Sequence, residues 1–257
     1  MTRYLLSALA VSVCAAGLTV ACGGSAPTEP AATSAPAANP VDPATAATVS
    51  GRVTYAGTPP APPVIRLDGD PTCVELQAGE ERHAEDLLVG ADGGLINAFV
   101  YIKDGLDGYS FPAPTDPVVL DQQKCRYTPR VIGVRVGQPL EVRNSDPLLH
   151  NIRSDSEINQ PFNMGQPVAG LSFTRVFTTR EVMVPIKCDV HAWMRAWIGV
   201  LEHPYFAVTG EDGRFTLPEL PPGTYTLEVW HETLGAQTRQ ITVGPKDSQD
   251  VTVTYQP

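Results

Sequence analysis

Residues 134–153 read VRVGQPLEVRNSDPLLHNIR, and residues 187–194 read KCDVHAWM. In the first stretch apolar side chains alternate with polar ones through Val134 and Val136. The alternation breaks at Gly137 and resumes through Leu140 and Val142. A period of two puts one face of a strand against a core, and the glycine marks the turn between two strands. The same signal recurs on both sides of this stretch. It is seen at Gly51–Tyr55, Asn97–Ile102, Val131–Val136, Leu140–Arg143, Leu171–Phe177, Glu181–Ile186 and Arg195–Leu201. It continues at Phe206–Thr209, Arg214–Leu217, Thr224–Trp230, Thr238–Val243 and Val251–Tyr255. The 22 glycines and 25 prolines punctuate these runs at the spacing of a β-sandwich. No long apolar period of 3.6 residues occurs outside the N-terminal segment, so an all-β fold is expected.

Taken together, the two quoted stretches resemble a cupredoxin of the plastocyanin and amicyanin group. In that group a strand, a Gly turn and a second strand lead to a His-Asn pair, and a Cys-x-x-His-x-x-Met loop follows. The resemblance covers residues 117–202 and implies a Greek-key sandwich holding one type 1 copper. The implied ligands are His150, Cys188, His191 and Met194. Two imidazoles and a thiolate, with a weak axial thioether, form the electron-transfer copper site, because soft sulfur holds Cu(I) and imidazole accepts both oxidation states. Asn151 matches the position whose side chain ties the His loop to the Cys loop, orienting ligands without binding copper. The resemblance also implies that the ring edge of His191 is exposed in an apolar patch, enlarged by Trp193, that serves as the electron port. Val190 stands where the group commonly has Pro, which affects hydrogen bonding near the Cys188 sulfur. A Cys/His set also suits zinc, whereas the Met favours copper. The loop lacks the second bridging Cys of a binuclear copper centre. His83 reads as solvated, and His203 and His231 read as structural.

Further along, Ala207–Leu217 contains Asp212-Gly213, a tight hairpin signal. Leu220-Pro221-Pro222-Gly223 then turns into an alternating strand. This run resembles the carboxypeptidase regulatory-like family, a transthyretin-type sandwich whose early strands look like Gly51–Gly57 and Asn97–Ile102. Residues 205–257 alone would make a thin core. The expected organisation is therefore one sandwich in two parts, 47–116 and 205–257, with the cupredoxin-like block 117–204 inserted between them. Two sandwiches in series are the alternative.

At the N-terminus Arg3 and the apolar run Leu5–Val20 have the form of an export signal, expected to span residues 1–21. Leu18-Thr19-Val20-Ala21-Cys22 resembles the bacterial lipobox, which implies lipidation at Cys22 and attachment to the cell envelope by lipid alone. Residues 22–46, rich in Ala and Pro, read as a flexible tether. With Cys14 in the signal, Cys22 lipidated and Cys188 a ligand, Cys73 and Cys125 remain to form a disulfide in an oxidising compartment. Closing that loop stabilises the fold by about 4 kcal/mol in the chain-entropy model.

The net charge of −10 argues against a nucleic-acid partner, which needs clustered Lys and Arg. The expected function is one-electron transfer to a redox partner protein, such as a cytochrome or a dehydrogenase, and not enzymatic catalysis. An interaction module that binds protein or glycan at the cell surface is the alternative from another class. Copper storage would call for Met or His tracts, and the chain has only 4 Met.

Overall fold

The computed structural model describes residues 40–67 and 69–257. The expected export signal, Cys22 and most of the tether lie outside the described residues. The described chain begins with β1 (Ala47–Tyr55), a short helix α1 (Pro71–Leu76) and β2 (Phe99–Asp104). Nine strands follow: β3 (Val118–Gln122), β4 (Tyr127–Thr128), β5 (Val131–Arg135), β6 (Pro139–Asn144), β7 (His150–Ser154), β8 (Asn163–Gln166), β9 (Ser172–Val176), β10 (Glu181–Lys187) and β11 (Arg195–Leu201). The last five are β12 (Phe206–Val208), β13 (Arg214–Leu220), β14 (Gly223–His231), β15 (Gly235–Val243) and β16 (Ser248–Tyr255).

The strands make four sheets and two sandwiches. In one sandwich β1 lies between β13 and β16, facing a sheet of order β12-β2-β14-β15. Its core joins Val49 and Val53 of β1 to Leu217, Leu227, Ile241 and Val253, so strands from both ends of the chain bury one another. The second sandwich packs β5-β11-β10-β7-β8 on β4-β3-β6-β9 around Leu120, Val142, Ile152, Ile186 and Ile198. A third apolar cluster fills the seam between the sandwiches, with Phe99 and Tyr101 of β2 against Val131, Met183 and Leu201. Strand β2 is thus buried on both faces, which explains its continuous run Phe99-Val100-Tyr101-Ile102. Two glycines make the seam close. A Cβ on Gly133 would lie 2.1 Å from the Phe206 ring, and one on Gly199 would lie 2.4 Å from the Phe99 ring.

The segment between β1 and β2 is shared: Leu95 and Ala98 at its end are buried in the first core, and its middle crosses to the second. Leu67 and Cys73 are buried in the core of the second, and Ile65 and Leu76 pack against it. Helix α1 on this segment carries a readable start signal, Asp70 as N-cap and Pro71 at the first turn. At six residues it is too short to show an apolar period. Strands β3, β4, β7 and β8 also lacked a sequence signal. His150-Asn151-Ile152-Arg153-Ser154 and Asn163-Met164-Gly165-Gln166 are too polar to alternate visibly, and they become strands by pairing with each other.

Candidate metal centre

His150 opens β7, directly after the Ser145–Leu149 turn that follows β6. The carboxylate of Asp146 in that turn accepts hydrogen bonds from the backbone N–H groups of Lys124 and Cys125, each at 2.7 Å. Its Oδ2 also lies 2.8 Å from His150 Nε2. A carboxylate can only accept, so Nε2 carries the proton and Nδ1 presents a lone pair. That Nδ1 lies 3.1 Å from Nδ1 of His191.

Cys188, His191 and Met194 lie on the loop from β10 to β11. The loop closes on itself: Met194 N–H donates to the His191 carbonyl at 2.9 Å, and Cys188 N–H to the Met194 carbonyl at 3.3 Å. The Cys188 sulfur accepts from the His191 N–H at 3.4 Å and lies 3.9 Å from His191 Nδ1. The ligating atoms of His150, Cys188 and His191 all fall within 4.8 Å of one another. These three residues and Met194 are between 0% and 4% exposed. Two further groupings of metal-binding residue types surround Asp70 and Asp146, but each includes a sulfur of the Cys73–Cys125 disulfide, which is not a thiolate.

The electrostatics favour a thiolate. Burial pushes the Cys188 thiol up. Hydrogen bonding to His150 and His191 and to the backbone N–H groups of Asn151 and His191 outweighs this and brings it down to about 6. Burial pushes both imidazoles down, but the same sulfur and a carboxylate on each ring leave them raised. Two imidazole Nδ1 atoms turned toward each other beside a readily ionised thiol, all buried, fit a soft or borderline transition metal. His150, Cys188 and His191 can hold it directly, and Met194 stands at the end of the same loop.

Asn151 Oδ1 accepts the Asp189 N–H at 3.1 Å and so ties the His strand to the Cys loop. Tyr127 adds a second tie, its hydroxyl donating to the Asn151 carbonyl at 2.5 Å and lying 3.1 Å from that of Lys187. Sequence reasoning missed Tyr127, Asp146 and Asp70. Asp146 had a usable signal, four residues before a candidate ligand. Asp70 had none.

The expected exposed edge of His191 is not present. His191 Nε2 faces Asp70 Oδ2 at 3.1 Å and the Cys73 sulfur at 3.7 Å, so the α1 segment covers the ring. Trp193 stacks obliquely on His191, with ring centroids 5.1 Å apart, and its indole N–H donates to the Cys125 carbonyl at 3.0 Å. It is half-buried and braces the loop. Leu149 (46%) and Val190 (47%) are large apolar side chains exposed beside the ligands.

Part of the chain matches a known family. Residues 200–256 match the carboxypeptidase regulatory-like domain. No curated protein matches the chain. Among solved structures, similarity is found to a proline-to-alanine mutant of amicyanin in its oxidized state (21% identity, 33% of this chain and 81% of that one, TM-score 0.30). It is also found to a purple cupredoxin from Nitrosopumilus maritimus (22% identity, 33% and 97%, TM-score 0.28). A third similarity is to the Cu-containing nitrite reductase of Thermus scotoductus SA-01 (22% identity, 35% and 23%, TM-score 0.32). This chain spans less than a quarter of the nitrite reductase.

The carboxypeptidase regulatory-like part contacts the second sandwich and the α1 segment through its β14–β15 turn. Glu232 takes a bidentate ion pair from Arg130, with contacts of 2.5 and 2.8 Å, and accepts the Trp197 indole N–H at 3.1 Å. Thr233 Oγ1 donates to the Asp86 carbonyl on the segment that carries α1. The remaining histidines lie apart from the centre. His83 is exposed, and its Nδ1 lies 3.2 Å from the Pro62 carbonyl. His203 and His231 are buried, and burial pushes His203 down to about 4.

Proposed function

We propose that this protein is an exported one-electron carrier with a single type 1 copper held by His150 Nδ1, the Cys188 thiolate, His191 Nδ1 and Met194. The observation that carries this reading is the convergence of two imidazole lone pairs on one easily ionised, buried thiol. Bound copper would supply a one-electron couple between Cu(II) and Cu(I). The protein's own groups do the rest. Asp146 holds the Nε2 proton of His150 and keeps Nδ1 free for the metal. The backbone N–H groups at the sulfur favour the thiolate. The closed Cys188–Met194 loop and the Asn151–Asp189 bond limit ligand movement, which keeps reorganisation small when an electron arrives. Burial of all four side chains keeps bulk water from them.

In this reading the chain moves electrons and makes or breaks no substrate bond. Leu149 and Val190 offer a small apolar contact to a redox partner protein, such as a cytochrome or a dehydrogenase. Lipidation at Cys22 and the tether would hold the folded part near the envelope. The test is to load the purified folded part with Cu(II) and to record metal content, a visible spectrum and an EPR spectrum. One copper per chain with an intense visible band is expected. Stoichiometric zinc with no copper uptake, or copper without such a band, would refute the proposal.

A further inference from the structure

The support of His191 comes from far along the chain and has no counterpart in the ligand motif. Asp70 uses its two carboxylate oxygens for different tasks. Oδ1 caps α1, accepting from the N–H groups of Thr72 at 3.0 Å and Cys73 at 3.3 Å. Oδ2 faces His191 Nε2 at 3.1 Å. The carboxylate is therefore held at both ends. Being an acceptor only, it requires the proton on Nε2 and leaves the lone pair on Nδ1, the nitrogen directed at His150 and Cys188. Asp146 does the same for His150.

One covalent bond joins the two supports. Cys73 donates its N–H to Asp70, Cys125 donates its N–H to Asp146, and the two cysteines form the disulfide. We propose that Asp70 is a positioning residue of the metal centre and that the Cys73–Cys125 disulfide holds it on His191. This rests on the copper reading above. An N–H···carboxylate bond makes an imidazole a stronger donor, and a nearby negative charge favours the more positive metal. Both effects favour Cu(II), so Asp70 lowers the reduction potential. Asp70 also covers the imidazole edge, so a partner meets the centre elsewhere on its rim.

The test uses Asp70→Asn and Asp70→Ser. Both keep a good helix cap, so α1 retains its start signal. In Asp70→Asn the oxygen stays on the cap and the amide NH₂ turns to His191. In Asp70→Ser the side chain is too short to reach the ring. Long-range ¹⁵N–¹H correlation spectra of the metal-free proteins should show His191 protonated at Nε2 in the wild type. In Asp70→Asn the proton should move to Nδ1. With copper bound, both variants should lose about tenfold in Cu(II) over Cu(I) preference, a rise of about 59 mV for one electron. An unchanged His191 tautomer in both variants would overturn the proposal, and so would an unchanged potential. If the wild type takes up no copper, the electron-carrier reading fails, and the tautomer spectra alone still decide the role of Asp70.

Discussion

The two sandwiches are similar in size and stand back to back, but they differ in what they bury. In the sandwich built from β1, β2 and β12–β16, the core is aliphatic and aromatic, and its buried polar groups include tyrosine hydroxyls together with Thr209, Glu228 and His231. Tyr205, Tyr225 and Tyr255 each donate to a backbone carbonyl, those of Glu219, Pro221 and Val229. In the second sandwich the apolar core ends in a cluster of titratable groups, with Cys188, His150, His191 and Asp146 all buried. A buried ionisable group is costly unless it is paired and hydrogen-bonded, and each member of this cluster has such partners. The contrast lies in grouping: among the described residues, the second sandwich gathers two imidazoles, a thiol and a carboxylate at one end of its core, and the first does not gather its buried polar groups in this way.

The strongest way to break this comparison is at the thiolate. Cys188→Ser should abolish the visible charge-transfer band of the copper-loaded protein. Strands β1, β14 and β16 should keep their hydrogen-exchange protection. An unchanged band would remove Cys188 from the site. Next in size is the disulfide. Cys73→Ala with Cys125→Ala should lower stability by up to about 4 kcal/mol in denaturant unfolding. The loss of exchange protection should fall on the α1 segment and the β3–β4 turn. A loss spread evenly over both sandwiches would mean that the disulfide braces the whole chain and not the metal end.

A smaller effect is expected at the seam. Gly199→Ala places a Cβ 2.4 Å from the Phe99 ring, which is fully buried and cannot swing away. Such overpacking costs about 1–3 kcal/mol. A neutral result would show that the two sandwiches separate easily.

The smallest effect concerns Glu181, at the start of β10. Burial pushes its carboxyl up. Bonds from Ser156, from the Asn159 side chain and from the backbone N–H groups of Asn159 and Glu157 outweigh this and hold it at about 2. A carboxyl with a depressed folded pKa contributes stability that is fully present above its unfolded value, near 4.5, and is lost as pH falls toward 2. After allowance for solvent screening the contribution is about 2 kcal/mol. Glu181→Gln should flatten the stability profile between pH 4.5 and 2 and lower stability at neutral pH. An unaltered profile would show that the second sandwich does not depend on satisfying its buried charges.

What could be read from the sequence alone was local. Strand alternation and Gly or Asp-Gly turns act over a few residues, so β11 was legible to the residue and β14 to within one at each end. The Cys-x-x-His-x-x-Met spacing was legible because one short loop carries all three side chains. The Cys73–Cys125 pair followed from counting the thiols left over once export was expected, and the two cysteines are bonded. The tertiary structure decided everything that depends on distant segments meeting. It paired β1 with both β13 and β16, buried β2 on two faces and carried α1 across to the second sandwich. It also covered His191, whose edge had been expected to face solvent. Asp70 and His191 are 121 residues apart, and no spacing, period or motif links them. Their contact exists because burying Leu67 and Cys73 in the second core brings the N-cap of α1 to the imidazole. Hydrophobic burial has no sequence direction, and so what it brings together cannot be read along the chain.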